Sequence, residues 1–198
     1  MWKIKKSKIH GNGIVATENI VKNTKIIQYV GEKISKKEGD NRSADRIKKY
    51  LGKKNEGSVY VFELNKRYDI DGSPFYNKAR YINHSCNPNC EVDIINNEIW
   101  IISIKKINKG EELFYDYGYV FDEDDYEDHL CKCGSKKCIG YIISQDDWNK
   151  FKKFQVNEKL NTKTYLDNNI DLKDIKVDKF EKFLIKNFNE EIPTCYTN

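Results

Sequence analysis

Eleven consecutive residues, RYINHSCNPNC from Arg80 to Cys90, gather one Arg, one His, three Asn and two Cys. A buried strand or helix face would be apolar and a solvent loop would carry Lys, Glu and Ser. This mixture therefore implies polar groups collected around a ligand, a metal or both. A second unusual stretch follows at GEELFYDYGY, Gly110 to Tyr119, with four aromatic residues in its last six. One apolar strand pattern and a turn separate the two.

With 198 residues, 38% of them hydrophobic and 13% aromatic, the chain can bury one sizeable core and carry an appendage. Charged residues reach 33%, yet the net charge is only +4 and dispersed, without the basic stripe that direct nucleic-acid binding needs. The N-terminal MWKIKKSKIHGNG lacks the apolar core of a signal peptide, and no run of 18 apolar residues occurs. A soluble, intracellular protein with no membrane partner is the expectation. No address signal separates cytoplasm from nucleus or from delivery into another cell.

Along the chain, IHGNG and IVATENI followed by KIIQYVGE read as two short strands around a turn. Residues 32–57 are polar, Lys-rich and poorly periodic, with one short helix near Ser43 to Tyr50. SVYVFEL alternates as a strand and RYDIDG pairs with it. CEVDII and EIWIISI form a hairpin about Asn96-Asn97. From Asp146 the pattern turns helical. Trp148, Phe151 and Phe154 share one face, and Leu172, Ile175, Phe180, Phe183, Leu184 and Phe188 mark a further amphipathic helix.

Six cysteines could form three disulfides, but Cys131, Cys133 and Cys138 fall within eight residues, in the spacing C-x-C-x4-C. That crowding suits a zinc thiolate better than a disulfide framework. A closed zinc site wants four ligands, and the fourth comes from Cys86 or Cys90 of the polar stretch, or from His129. Cys86 is preferred, because its thiolate would tie the cysteine cluster onto the site. Just upstream, Phe121 to Asp128 holds six carboxylates in eight residues. It reads equally as a solvated loop or as an approach for a basic peptide.

In this order, GNG, YVGE, RYINHSCNPNC, GEELFYDYGY and CKCGSKKCIGY resemble the SET-domain protein-lysine methyltransferases that carry a post-SET zinc motif. The resemblance covers Ser7 to Ile143; the family's pre-SET cysteine cluster is absent. It implies a mostly β fold of the β-clip type: small sheets, short helices, and a pseudoknot in which GEELFYDYGY threads beneath the NHSCNPN loop. The organisation expected is a SET domain over 7–120 with a variable insert at 32–57. An acidic loop and zinc motif follow over 121–143, then a helical C-terminal extension over 144–198.

The resemblance also implies S-adenosylmethionine as cofactor beside the zinc. Gly11, Asn12 and Gly13 would hold its methionine end, with Tyr60 and Arg80 nearby. Asn83 and His84 would meet its amino group and adenine, and Tyr141 or Ile142 would cover the adenine. Where the family often has Trp between the two glycines, this chain has Asn12, which removes a stacking contact. The implied reaction is methylation of a lysine in a histone or other basic protein, mainly to the mono- or dimethyl form. Tyr117 would be central to catalysis, Tyr29 would line the lysine channel, and Tyr115 would set the product. Elementary chemistry agrees. Displacement at a sulfonium methyl needs a neutral amine and a straight approach, and an aromatic, dry channel lowers the pKa of a lysine from about 10.4. The alternative is a module that keeps this fold and binds basic tails with little turnover.

Overall fold

The computed structural model describes residues 1–50 and 59–167. The expected helix over 172–188 lies outside the described residues. Strands β1 (Trp2–Lys6) and β2 (Asn12–Ala16) form an antiparallel pair. β3 (Lys25–Tyr29) and β4 (Glu32–Ser35) lead into helix α1 (Lys36–Tyr50). Then come β5 (Val61–Glu63), β6 (Tyr68–Asp71), β7 (Asn83–His84), β8 (Cys90–Ile95), β9 (Glu98–Ser103) and β10 (Phe114–Tyr115), with helix α2 (Trp148–Asp167) last. The sheets are small, in the orders β1-β2, β3-β9-β8, β4-β6-β5 and β10-β7. No closed barrel occurs among the described residues, so the architecture is the mostly β one expected.

The predicted hairpin is present: β8 and β9 pair from Cys90–Ser103 to Ile95–Glu98. Its turn places Asn96 and Asn97 at φ 53° and 60°, the left-handed region that Asn tolerates and that matches strand twist in a two-residue turn. β5 and β6 also pair antiparallel. Two elements differ from expectation. β1 alternates Lys with apolar residues but leaves four of its five exposed, so its charge disguised it. Helix α1 begins at Lys36 rather than near Ser43, because it is held by caps and ions instead of an apolar stripe. Ser35 Oγ accepts from the Glu38 N–H at 3.3 Å, the N-terminal half of a Ser-x-x-Glu cap.

The β7–β10 pair is parallel, Asn83 beside Phe114 and His84 beside Tyr115. The loop leaving β7 then returns to the same partner. Ser85 N–H donates to Tyr115 O and Asn89 N–H to Phe114 O, both at 3.2 Å. Asn89 Oδ1 accepts from Phe114 N–H at 2.8 Å, and its Nδ2 donates to Glu112 O at 2.8 Å. Residues 112–115 are thus bonded by both limbs of the 83–89 loop, the crossing that a pseudoknot requires.

The chain divides into two compact units. The first is Met1–Tyr117 with Cys131–Cys138; the second is Gly118–Leu130 with the described residues from Ile139 onward. The core of the first contains Ile14, Ile82, Ile99, Ile101, Ile107 and Leu113, all at most 1% exposed. The second centres on Phe121, Tyr126, Ile143 and Phe151, with Trp148, Phe154 and Tyr141 packed against them. Two residues of the acidic stretch are therefore core, while its carboxylates stay outside. No helix among the described residues is long and apolar enough to cross a membrane.

Candidate active site and cysteine cluster

Strand β7 carries Asn83 and His84 into the interior, 7% and 5% exposed. The Asn83 amide nitrogen lies 3.2 Å from His10 O, 3.1 Å from Asn12 O and 3.1 Å from Glu112 Oε1. Three acceptors on one side fix the amide orientation and tie the Gly11–Gly13 turn to β7. Gly13 packs closely there, and a Cβ would meet the Glu112 carboxylate, which would have to move. The Asn12 side chain is exposed, and only its carbonyl joins the network.

Arg80 stacks its guanidinium on Tyr60 at 4.3 Å and on Phe75 at 4.9 Å, while Nη1 donates to Ser73 O. Its Nε is buried without a protein acceptor among the described residues. A buried orphan donor is costly unless something completes it, and a carboxylate is the natural partner of a guanidinium. A guanidinium donor of this kind suits the carboxylate at the amino-acid end of S-adenosylmethionine.

The three sequence-predicted tyrosines are brought together with a residue that sequence reasoning missed. Tyr29 meets Phe62 at 4.5 Å, Phe62 meets Tyr115 at 5.9 Å, and Tyr115 meets Tyr117 at 5.0 Å between centroids. Phe62 sits on a three-residue strand, and only the β5–β6–β4 pairing sets it beside Tyr29. The Tyr29 hydroxyl donates to Tyr60 O at 2.9 Å. Burial, then the phenols of Tyr117 and Tyr60, push it well above the usual phenol range, so it stays protonated. The Tyr29 ring lies so close to Gly72 that any Cβ there would overlap it. The Tyr117 hydroxyl donates to Ile82 O at 3.1 Å.

Cys86, Cys131, Cys133 and Cys138 converge, their sulfurs all within 4.8 Å of one another. Cys86 Sγ and Cys131 Sγ are 3.7 Å apart. A tetrahedron with Zn–S of about 2.3 Å has edges of about 3.8 Å, so the set fits zinc. Of the candidates for fourth ligand, Cys86 is the one that joins the cluster. Cys90 lies in the main core, its thiol facing Asn89 Oδ1 at 3.5 Å, and burial pushes its pKa up to about 12. His129 belongs to the second unit, 3.7 Å from Asp125 and edge-on to Tyr119. Hydrogen bonds from Cys131, then Cys138 and Cys86, hold the Cys133 thiol well below the ordinary thiol range.

His84 lies between these two sites. Its Nδ1 is 3.2 Å from the Tyr117 N–H and its Nε2 is 3.6 Å from Cys86 Sγ. Burial lowers its pKa, against the pull of Asp116 and Cys133. Tyr141 and Ile142 are placed in the second unit. Tyr141 stacks edge-on with Tyr126 at 4.9 Å, and Ile142 N–H donates to His129 O at 2.7 Å.

A family model described as SET domain matches residues 11–118. Among curated relatives, the human "Histone-lysine N-methyltransferase 2D" is 39% identical over 145 residues, covering 69% of this chain and 2% of the relative. The Caenorhabditis elegans "Histone-lysine N-methyltransferase set-2" is 36% identical over 146 residues, 72% of this chain and 9% of the relative. A Schizosaccharomyces pombe "Histone-lysine N-methyltransferase, H3 lysine-4 specific" is 38% identical over 140 residues, 69% of this chain and 14% of the relative. The chain thus spans a small fraction of the length of the relatives it matches.

Proposed function

The chain belongs to the SET-domain family, and from that premise we propose that it methylates lysine side chains of a basic protein, using S-adenosylmethionine. The observation that carries this reading is the row Tyr29, Phe62, Tyr115 and Tyr117 running beside the polar Asn83–His84 strand. The cofactor supplies a methyl group on a sulfonium centre. Everything else falls to the protein. Arg80 Nε and Asn83 are suited to hold the amino-acid end, and the glycine turn lets backbone close on it. The aromatic row offers a narrow, apolar path in which an ammonium loses hydration and gives up its proton more readily. Aromatic faces also favour a cationic reacting centre. Tyr117, fixed by its hydroxyl on Ile82 O, orients the incoming amine, and positioning of this kind supplies most of the rate in a direct displacement.

The substrate we propose is a histone-like tail, methylated mainly to the mono- or dimethyl state inside a cell. Histone H3 is the first to test, because relatives carry the words "H3 lysine-4 specific" in their names. The purified chain is incubated with labelled S-adenosylmethionine and core histones, then with a lysate of basic proteins. Label on lysine that disappears in Tyr117→Phe supports the proposal. Measurable cofactor binding with no labelled protein supports a non-catalytic module instead.

A further inference from the structure

We infer that His84 is a positioning residue whose ring couples the four-cysteine site to the backbone of Tyr117. This rests on the methyl-transfer reading above and adds a part to it. A backbone N–H can only donate, so His84 Nδ1, 3.2 Å from the Tyr117 nitrogen, is the acceptor. In a neutral imidazole the proton then resides on Nε2, which faces Cys86 Sγ at 3.6 Å. Both ring nitrogens are committed, one to each site. Asp116 Oδ1 lies 3.7 Å from the same Nδ1, a longer approach, and a proton on Nδ1 would set two N–H groups against each other.

The surroundings make the coupling stiff. The ring is 5% exposed, so water does not substitute for either bond, and it meets the Tyr117 ring edge-on at 5.4 Å. Tyr117 is thereby held through both its main chain and its ring by a side chain whose far nitrogen rests on a zinc-ligating sulfur. A donor N–H to a metal-bound thiolate offsets its negative charge and fixes its direction, and outer-shell partners of this kind are worth about 10–100-fold in metal affinity. The cysteine cluster then does more than fasten the chain from Cys131 to Cys138: it sets where His84, and through it Tyr117, stands.

The two bonds can be cut separately in the full chain. His84→Asn keeps an acceptor near the Nδ1 position but cannot reach Cys86; His84→Gln carries a donor to the Nε2 position but loses the Nδ1 acceptor. In His84→Asn, zinc affinity measured by chelator competition should fall about 10–100-fold, and kcat at saturating zinc should fall with it, because Tyr117 is then no longer tied to the cysteine site. In His84→Gln, zinc affinity should hold within a few-fold while kcat falls at least tenfold and the peptide KM stays the same. A purely packing role would move both readouts together in both variants, and that result, or no change in either, overturns the inference. Should neither variant fold, long-range 15N–1H spectra of the unmodified chain decide. The chain has three histidines, and His84 must show the Nε2-protonated form; a proton on Nδ1 overturns the inference. If the unmodified chain methylates nothing, the functional reading fails, while zinc competition and tautomer still judge the His84–Cys86 bond.

Discussion

Tyr115 and Tyr117 stand two residues apart with ring centroids 5.0 Å apart, yet they are suited to different tasks. Tyr117 is anchored through its hydroxyl, and on the proposed reading losing that anchor would free the ring that orients the amine. Tyr117→Phe should lower turnover by about 100-fold or more, the scale of removing one preorganised polar group from a reacting centre. Tyr115 is 6% exposed, and on the reading proposed above its hydroxyl would occupy space that a methylated lysine needs in order to rotate for another round. A tenfold change in relative rate needs only about 1.4 kcal/mol, within the reach of one or two hydrogen bonds. Tyr115→Phe should therefore shift product from mono- and dimethyl toward trimethyl-lysine, read by time-resolved mass spectrometry of a peptide. Abundant trimethyl-lysine from the unmodified chain would remove the hydroxyl as the limit. These tyrosines were legible because their motif is dense and local. The side-chain bonds of His84 were not: Cys86 is only two residues on, but the order of residues does not say that the ring turns toward it, and Tyr117 comes within reach only when β10 pairs with β7.

Helix α1 shows the same contrast at the scale of an element. Its sequence lacks an apolar stripe, so periodicity points only to a short helix, whereas the partners that hold it lie on β4 and β6. Arg42 contacts Glu32 at 2.7 Å, Glu38 at 2.8 Å and Asp71 at 2.9 Å, and Arg46 reaches Asp71 at 3.4 Å. Asp71 is 3% exposed and also accepts from Ser73 N–H. Burial opposes its charge, but Arg42, Ser73 and Arg46 outweigh it and hold the carboxyl below its usual range. Because the folded pKa is depressed, the stabilisation is present above the unfolded value of about 3.9 and is lost as pH falls through the folded one. Asp71→Asn should destabilise by about 2 kcal/mol, the scale of a hydrogen bond to a charged group, and flatten the acid limb of the stability profile. Gly72 follows directly and packs on Tyr29, so the same substitution should raise the peptide KM more than it weakens cofactor binding. Equal effects on both, measured by steady-state kinetics and calorimetry, would show that α1 does not bear on the lysine path.

At the scale of the whole molecule, the order of motifs carried the family, and the three clustered cysteines pointed to a four-sulfur site that fits zinc. The ligand set was open because sequence distance says nothing about which distant thiol returns. Cys86 and Cys131 are separated by 45 residues, yet their sulfurs meet. A metal joining them closes the 83–89 loop, already bonded to residues 112–115, onto the segment Cys131–Cys138. Binding of that kind is folding free energy. At free zinc a thousandfold above the dissociation constant it contributes about 4 kcal/mol. Stripping zinc with a chelator should lower Tm and turnover together, and adding it back should restore both. Cys86→Ser should reduce zinc from one ion per chain and take activity with it. Cys90→Ser should leave zinc content unchanged while lowering Tm, because that thiol is core packing at 1% exposure. Zinc content that survives Cys86→Ser but falls on replacing Cys90 or His129 would mean the four sulfurs that converge here are not the four that hold the ion.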